Sequence, residues 1–390
     1  MAGIHPPLDG VRRIAVLRPN AVGDFVFALP ALHALKQAYP QAELVLIGKD
    51  WHRDFLAGRP GPVDWVVEMP AVPGVGMPVH VSACASGEAS ADTSAEREAI
   101  ARFLERMRGE RFDLALQMFG GGLYSNPFLL QCGARLTVGW RAPDAAALDR
   151  WLPYREPVNR RLALLEIAGL AGAWPGPMPQ PELAVTDRDR ARAAQVLPPR
   201  ASERLVILQP GSTDPRRCWP AERFAALGDL LAGEGAHIVV NGSPAEAALV
   251  RSVADGMRHR ATVLTEGRDG GWDGGQDECQ SGDRNEGGLN LGGLCGLLER
   301  AALVVSNDTG PLHLALALGV PSVGIFWLTN LLEGMPLRPS GLHVALALRT
   351  HCPVCGQDNL RMRCVHDLSF VDEVGVDEVA SLARAALAHQ

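Results

Sequence analysis

The stretch Ser306-Asn307-Asp308-Thr309-Gly310-Pro311-Leu312-His313 constrains the fold more than any other part of the chain. The apolar run Leu303-Val304-Val305 before it predicts a buried strand, and the Ala-rich apolar residues 312–318 after it predict a short helix. Pro311 suits the first helical position, Gly319 the residue just past the end, and Pro321 stops continuation. Asp308, Thr309 and Gly310 therefore fall on a tight strand-to-helix turn. Backbone N–H groups and the positive end of the helix dipole gather at such a turn, which suits an anion such as phosphate. A capped helix of an ordinary α/β domain would carry the same pattern.

A second stretch repeats the device. Leu205-Val206-Ile207-Leu208 predicts another buried strand, and residues 209–220 follow as Gln-Pro-Gly-Ser-Thr-Asp-Pro-Arg-Arg-Cys-Trp-Pro. Phe224, Leu227, Leu230 and Leu231 then fall at helical spacing. The loop offers Gly211, the hydroxyls of Ser212 and Thr213, and the guanidiniums of Arg216 and Arg217, whose forks match phosphate oxygens. Two phosphate-suited turns in one α/β half point to a diphosphate ligand.

At 390 residues the chain exceeds one small core, and two domains are expected. Strand-like runs at 14–17, 44–47, 63–67, 114–118 and 136–138, with a helical pattern over 28–38, predict a parallel sheet layered with helices across residues 1–173. The Pro/Gly/Ser/Ala-rich residues 71–96 read as a mobile insert, and 174–185, with four prolines in eight residues, as a linker. Strands at 205–208, 237–240, 303–305 and 322–326 build a second α/β domain over 186–375, and 376–390 form a C-terminal helix. Residues 266–288 carry seven acids and two arginines, a net of −5 out of −7 for the whole chain, and read as a disordered insert. No basic field marks a nucleic-acid binder. No apolar run approaches the ~20 residues of a membrane span, and residues 1–13 lack a signal-peptide core. The expected location is the cytoplasm, with peripheral contact at the inner membrane's cytoplasmic face left open.

Three blocks, in this order, carry a family resemblance: Val22-Gly23-Asp24 through Pro30; Pro210-Gly211-Ser212 through Arg217-Cys218-Trp219-Pro220; and Asn307-Asp308-Thr309-Gly310-Pro311 with His313, Ala315, Ala317 and Gly319. The chain resembles glycosyltransferase family 9, the ADP-heptose:lipopolysaccharide heptosyltransferases and their relatives. The resemblance implies a GT-B-like α/β architecture, two Rossmann-type domains facing a central cleft, with the acceptor on the first and the nucleotide sugar on the second. It implies a C-terminal helix of the kind that crosses back to the first domain. It further implies an inverting transfer from a nucleotide sugar, ADP-heptose above all, to a lipopolysaccharide-core or related glycan or glycolipid.

From the residues alone Asp24 reads as a helix N-cap; the resemblance makes it the general base. Ser212, Thr213 and Arg217 would hold the leaving diphosphate, with Arg217 where the family usually has lysine, and Thr309 and Gly310 would add backbone N–H groups. Arg216 reads as solvated, and Gly120-Gly121-Gly122 as a flexible turn bordering the acceptor. Asp308 either caps its helix or, with His313 and Glu246, meets donor sugar or nucleotide. Catalysis is expected to need no metal, because Arg217 and helix N-termini take its place. Trp327 stands near the donor where the family commonly has Gly-Pro-Thr, and bears on pocket closure.

Cys352-Pro353-Val354-Cys355, then Cys364 and His366, offer a Cys3His zinc set with irregular spacing, and a free-thiol loop is the alternative. The contrasting function is a non-catalytic sugar-nucleotide-binding or assembly protein with that loop held by zinc. A dinucleotide oxidoreductase is disfavoured, since 18–23 after the first strand contain one glycine.

Overall fold

A computed structural model describes residues 5–77, 91–265, 289–338 and 341–388. The chain divides into two compact units, one of Met1–Asn20 with Phe27–Met178, the other of Ala21–Val26 with Pro179–Gln390. The later division falls inside the proline-rich stretch.

The first unit contains β1 (Arg13–Leu17), most of α1 (Val22–Ala38), β2 (Glu43–Gly48), α2 (Asp50–Leu56), β3 (Trp65–Glu68), the short β4 (Val72–Pro73) and β5 (Gly76–Met77), α3 (Ala91–Gly109), β6 (Leu114–Gln117), α4 (Ser125–Leu130), β7 (Leu136–Arg141), β8 (Arg150–Pro153) and α5 (Arg160–Leu170). Six strands form an all-parallel sheet in the order β3-β2-β1-β6-β7-β8. The central strands are buried along their length, as parallel strands covered on both faces must be.

Three expectations change here. Helix α1 begins at Val22, six residues before the apolar pattern at 28–38 suggested, and keeps Pro30 inside it. Burial of Phe25, Val26 and Leu29 outweighs the one hydrogen bond that proline removes. Asp24 therefore lies in the first helical turn, not in the loop before it. The insert at 71–96 opens with the β4–β5 ladder and ends within α3, while 78–90 lie outside the described residues. The glycine turn at 120–122 is pinned. Gln117 Nε2 donates to Gly120 O at 3.1 Å and to Ser125 Oγ at 2.7 Å, and a Cβ on Gly122 (φ +93°) would meet the Asn126 amide at 2.4 Å.

The second unit contains α6 (Asp187–Val196), β9 (Leu205–Gln209), α7 (Ala221–Gly233), β10 (His237–Gly242), α8 (Ala247–Gly256), β11 (Thr262–Thr265), α9 (Leu291–Glu299), β12 (Leu303–Asn307), α10 (Gly310–Ala317), β13 (Ser322–Trp327), α11 (Leu328–Gly334), β14 (Leu342–Ala347) and α12 (Val376–Ala388). Its parallel sheet runs β11-β10-β9-β12-β13-β14, the same order as the first. The acidic residues 266–288 lie outside the described residues. Helix α12 gives its apolar face, Val379, Ala380, Ala383 and Ala386, to the second unit's core, against α7 and β14. Among the described residues no helix is long and apolar enough to cross a membrane.

Candidate functional site

In each sheet the chain starts in the middle, builds outward to one edge, then returns to build the other. The reversal falls between β1 and β6 in the first unit and between β9 and β12 in the second. Ligands of open α/β sheets bind beyond the carboxyl ends of the strands at this reversal. The chain after β1 carries Asp24, half-buried, in the 21–26 segment that groups with the second unit. The chains after β9 and β12, paired with Ser306 opposite Gln209, carry the two anion-suited turns.

Asn307 ties these two turns together. Its Nδ2 donates to Pro210 O at 2.7 Å and its Oδ1 accepts from Trp219 N at 3.0 Å, closing the loop at both ends. Trp219 is fully buried, with Nε1 donating to Val374 O at 2.8 Å and its ring edge-on to Phe224 at 4.9 Å. Within the loop Pro215–Arg217 form one 3-10 turn, capped by Asp214, whose Oδ1 accepts from Arg216 N at 3.1 Å. Burial opposes ionisation of Asp214, but hydrogen bonds from Arg216 and the charges of Arg216 and Arg217 outweigh it and hold its carboxyl below the ordinary range.

The two arginines have different fates. Arg216 is buried rather than solvated: it pairs with Asp214 at 2.6 Å, donates to Asn359 Oδ1 at 3.1 Å, and lies 5.6 Å over the Trp327 ring. Arg217 keeps 31% of its side chain exposed. Its guanidinium lies 3.9 Å from Asp214 and 3.8 Å from Asp308, near enough to be oriented by charge and too far to be consumed by hydrogen bonds. Ser212 is half-buried and Thr213 exposed on the same loop.

Helix α10 starts at Gly310, with Pro311 second and Thr309 as N-cap without a side-chain cap bond. Asp308 does not cap it; its Oδ1 accepts from Nε2 of His313 at 2.9 Å, and His313 is buried at 2% exposure. His313 thus fixes Asp308, and Asp308 faces Arg217. Glu246 accepts from Ser243 N at 2.8 Å and Oγ at 3.0 Å, a local capping box, and packs against Gly211, where a Cβ would fall 1.8 Å from Glu246 Oε1. Gly211→Ala should drive Glu246 off this cap at a cost of about 1 kcal/mol, read as a lowered unfolding midpoint; an unchanged midpoint would contradict the contact. Trp327 does not close a pocket: it is buried in the core, donates to Arg349 O at 2.6 Å, and packs on Phe370 at 4.8 Å.

An Asp-x-Asp pair at 187 and 189 opens α6, where Asp189 completes a capping box. Asp189 accepts from Thr186 N at 2.8 Å, and Asp187 pairs with Arg190 at 2.9 Å. The Cys218 thiol is pushed up to about 11, first by burial and then by the charges of Glu246 and Asp214, so it is a poor nucleophile. Cys132 and Cys295 are buried; Cys84 and Cys279 lie outside the described residues.

The ligand atoms of Cys352, Cys355, Cys364 and His366 all lie within 4.8 Å of one another, with Cys352 Sγ 3.7 Å from His366 Nδ1. Ligands about 2.3 Å from a tetrahedral ion stand roughly 3.8 Å apart, so this set fits one thiophilic metal ion.

Two parallel sheets of identical order, each reversing beside a polar strand-to-helix turn, define a GT-B protein of two Rossmann-like units. The chain belongs to glycosyltransferase family 9 (heptosyltransferase), whose model matches residues 100–266 and 286–363. The Val22-Gly23-Asp24 block precedes those stretches. Lipopolysaccharide heptosyltransferase 2 of Salmonella typhimurium is 25% identical over 328 residues, 80% of this chain and 82% of that protein. Among solved structures, a family 9 glycosyltransferase from Veillonella parvula matches with a TM-score of 0.74 and 16% identity, covering 99% of this chain and 100% of that one. The Escherichia coli ADP-heptose lipopolysaccharide heptosyltransferase II matches with a TM-score of 0.70 and 18% identity, covering 97% and 99%.

Proposed function

We propose that the protein transfers heptose from ADP-heptose to a lipopolysaccharide-core or related glycan acceptor, inverting the anomeric centre. The observation that carries this reading is the pair of anion-suited turns on adjacent strands β9 and β12, with Arg217 facing Asp308 between them. Names of similar proteins, a lipopolysaccharide heptosyltransferase 2 and an ADP-heptose heptosyltransferase, supply the donor and acceptor classes.

In this mechanism Ser212, Thr213, Arg217 and the N–H groups of Thr309 and Gly310 hold the diphosphate. Asp308, fixed by His313, and Glu246 meet the heptose and the nucleoside. The acceptor hydroxyl attacks the anomeric carbon as the carbon–oxygen bond to the diphosphate breaks. The hydroxyl proton passes to Asp24, and the bond's electrons leave on ADP. The charge growing on the leaving oxygens is met by groups already in place, which is where such a site gains its rate. Cys352, Cys355, Cys364 and His366 would hold a zinc ion that takes no part in the bond changes. On this reading the enzyme works in the cytoplasm, and any membrane contact is peripheral.

The test is product analysis by mass spectrometry, with ADP-heptose and a heptose-deficient lipopolysaccharide core, against other nucleotide sugars. Heptosylated core with ADP release is expected. Retention of the nucleotide sugar without ADP release would identify a binding protein instead. Transfer should also proceed unchanged with magnesium and manganese omitted and brief chelation of free cations. Loss of rate restored by magnesium would place a metal on the diphosphate and refute the metal-free cradle.

A further inference from the structure

The Cys/His cluster is not an isolated knuckle. Asn359, buried inside its loop, touches the cluster and the donor loop with the same amide group. Its Oδ1 accepts from Cys364 N at 3.3 Å and from Arg216 Nη1 at 3.1 Å. Its Nδ2 donates to Gln357 O at 3.0 Å and lies 3.6 Å from Cys364 Sγ. Gln357 O in turn accepts from Cys352 N at 2.9 Å. Two further bonds run in parallel: Phe370 N donates to Arg216 O at 2.7 Å, and Ser369 Oγ to Cys218 O at 2.7 Å.

From Arg216 the connection continues inward. Its remaining donors hold Asp214, which caps the 3-10 turn and orients Arg217. We propose that a thiophilic metal ion bound by Cys352, Cys355, Cys364 and His366 sets the geometry of the diphosphate loop through Asn359, which acts as a positioning residue on Arg216. Without the ion nothing covalent draws the three sulfurs and the imidazole together, and the loop that fixes the Asn359 amide loses its closure. Arg216 then loses its bond to Asn359, and the carboxylate that aims Arg217 is free to turn. The inference rests on the reading above that residues 211–218 hold a nucleoside diphosphate.

The experiment uses the full chain, cobalt(II) or zinc(II) as the metal, and ADP as the probe. Cobalt-loaded protein should show the ligand-field spectrum of a tetrahedral thiolate site at one ion per chain. Removing the ion should weaken ADP binding roughly tenfold, within the usual range for coupled sites. Asn359→Ala should keep the cobalt spectrum, bind ADP about as weakly as the metal-free parent, and lose little more when the ion is removed. A purely structural role for Asn359 would leave the two losses additive. The proposal is overturned if no stoichiometric ion binds, if metal removal leaves ADP affinity unchanged, or if Asn359→Ala responds to metal as the parent does. Should the metal-free parent unfold, metal-loaded Asn359→Ala still decides, since parental ADP affinity in that variant overturns the link. Arg217→Ala separates the two readings. If it binds ADP normally the donor-loop assignment itself fails; if it binds weakly while metal removal has no effect, only the coupling fails.

Discussion

Asp24→Asn is expected to lower the rate of transfer by roughly 10²–10⁴-fold, the range for a lost general base, and to leave ADP affinity unchanged. The substitution preserves size and one oxygen, and removes the ability to take the acceptor proton. A carboxylate in the first turn of a helix, where Asp24 stands, also contributes a small electrostatic term, about 0.3–1 kcal/mol at an exposed end. These two roles separate by measurement. If Asp24 only favours α1, the variant loses a little thermal stability and no rate. If it is the base, kcat falls while the unfolding midpoint barely moves. Near-normal turnover would take Asp24 out of the mechanism.

The architecture was legible because parallel strands buried on both faces read as continuous apolar runs, and such runs at 14–17, 44–47, 205–208 and 303–305 mark the centres of both sheets. The edges were not. Arg150-Trp151-Leu152-Pro153 lacks an apolar run, yet it completes the first sheet as β8, because an edge strand needs only one paired side. β14 carries the apolar run Val344-Ala345-Leu346-Ala347 and was still not read as a strand; most of its side chains are half-buried. Helix α1 starts early because an apolar pattern cannot show where a Gly-Asp pair becomes helical.

In the site, sequence reading located the turns but not what holds them. Asp214 precedes a proline and an arginine, an available cap signal that went unused in favour of its cationic neighbours. Asn307 belonged to a motif but was given no role of its own, though its side chain closes the donor loop across 88 residues of sequence. Asn359 reaches Arg216 across 143 residues, a separation at which one sequence carries no pairing signal. The same ignorance misplaced Arg216, which looked solvated by type and is buried by its partners.

That distinction sharpens the test of the cradle. Arg217→Ala should weaken ADP affinity by about tenfold to a hundredfold, the equivalent of one charge-assisted hydrogen-bonded contact at about 1.5–3 kcal/mol. The unfolding midpoint should hold, because the side chain is 31% exposed and neither carboxylate beside it is within hydrogen-bond distance. Part of the loss should appear in kcat, since charge on the leaving oxygens is greatest in the transition state. Arg217→Lys should recover much of the affinity by restoring the charge, and less of the rate, because an ammonium cannot reproduce the two-pronged guanidinium. Arg216→Ala, which by residue type alone should be mild, is expected to act through stability. It strips the partner from a nearly buried Asp214, a change that costs about 3–5 kcal/mol in such pairs. Calorimetric ADP titration beside thermal unfolding reads both variants at once. The cradle assignment fails if Arg217→Ala binds ADP as the parent does, or if its affinity falls only in step with a lowered unfolding midpoint.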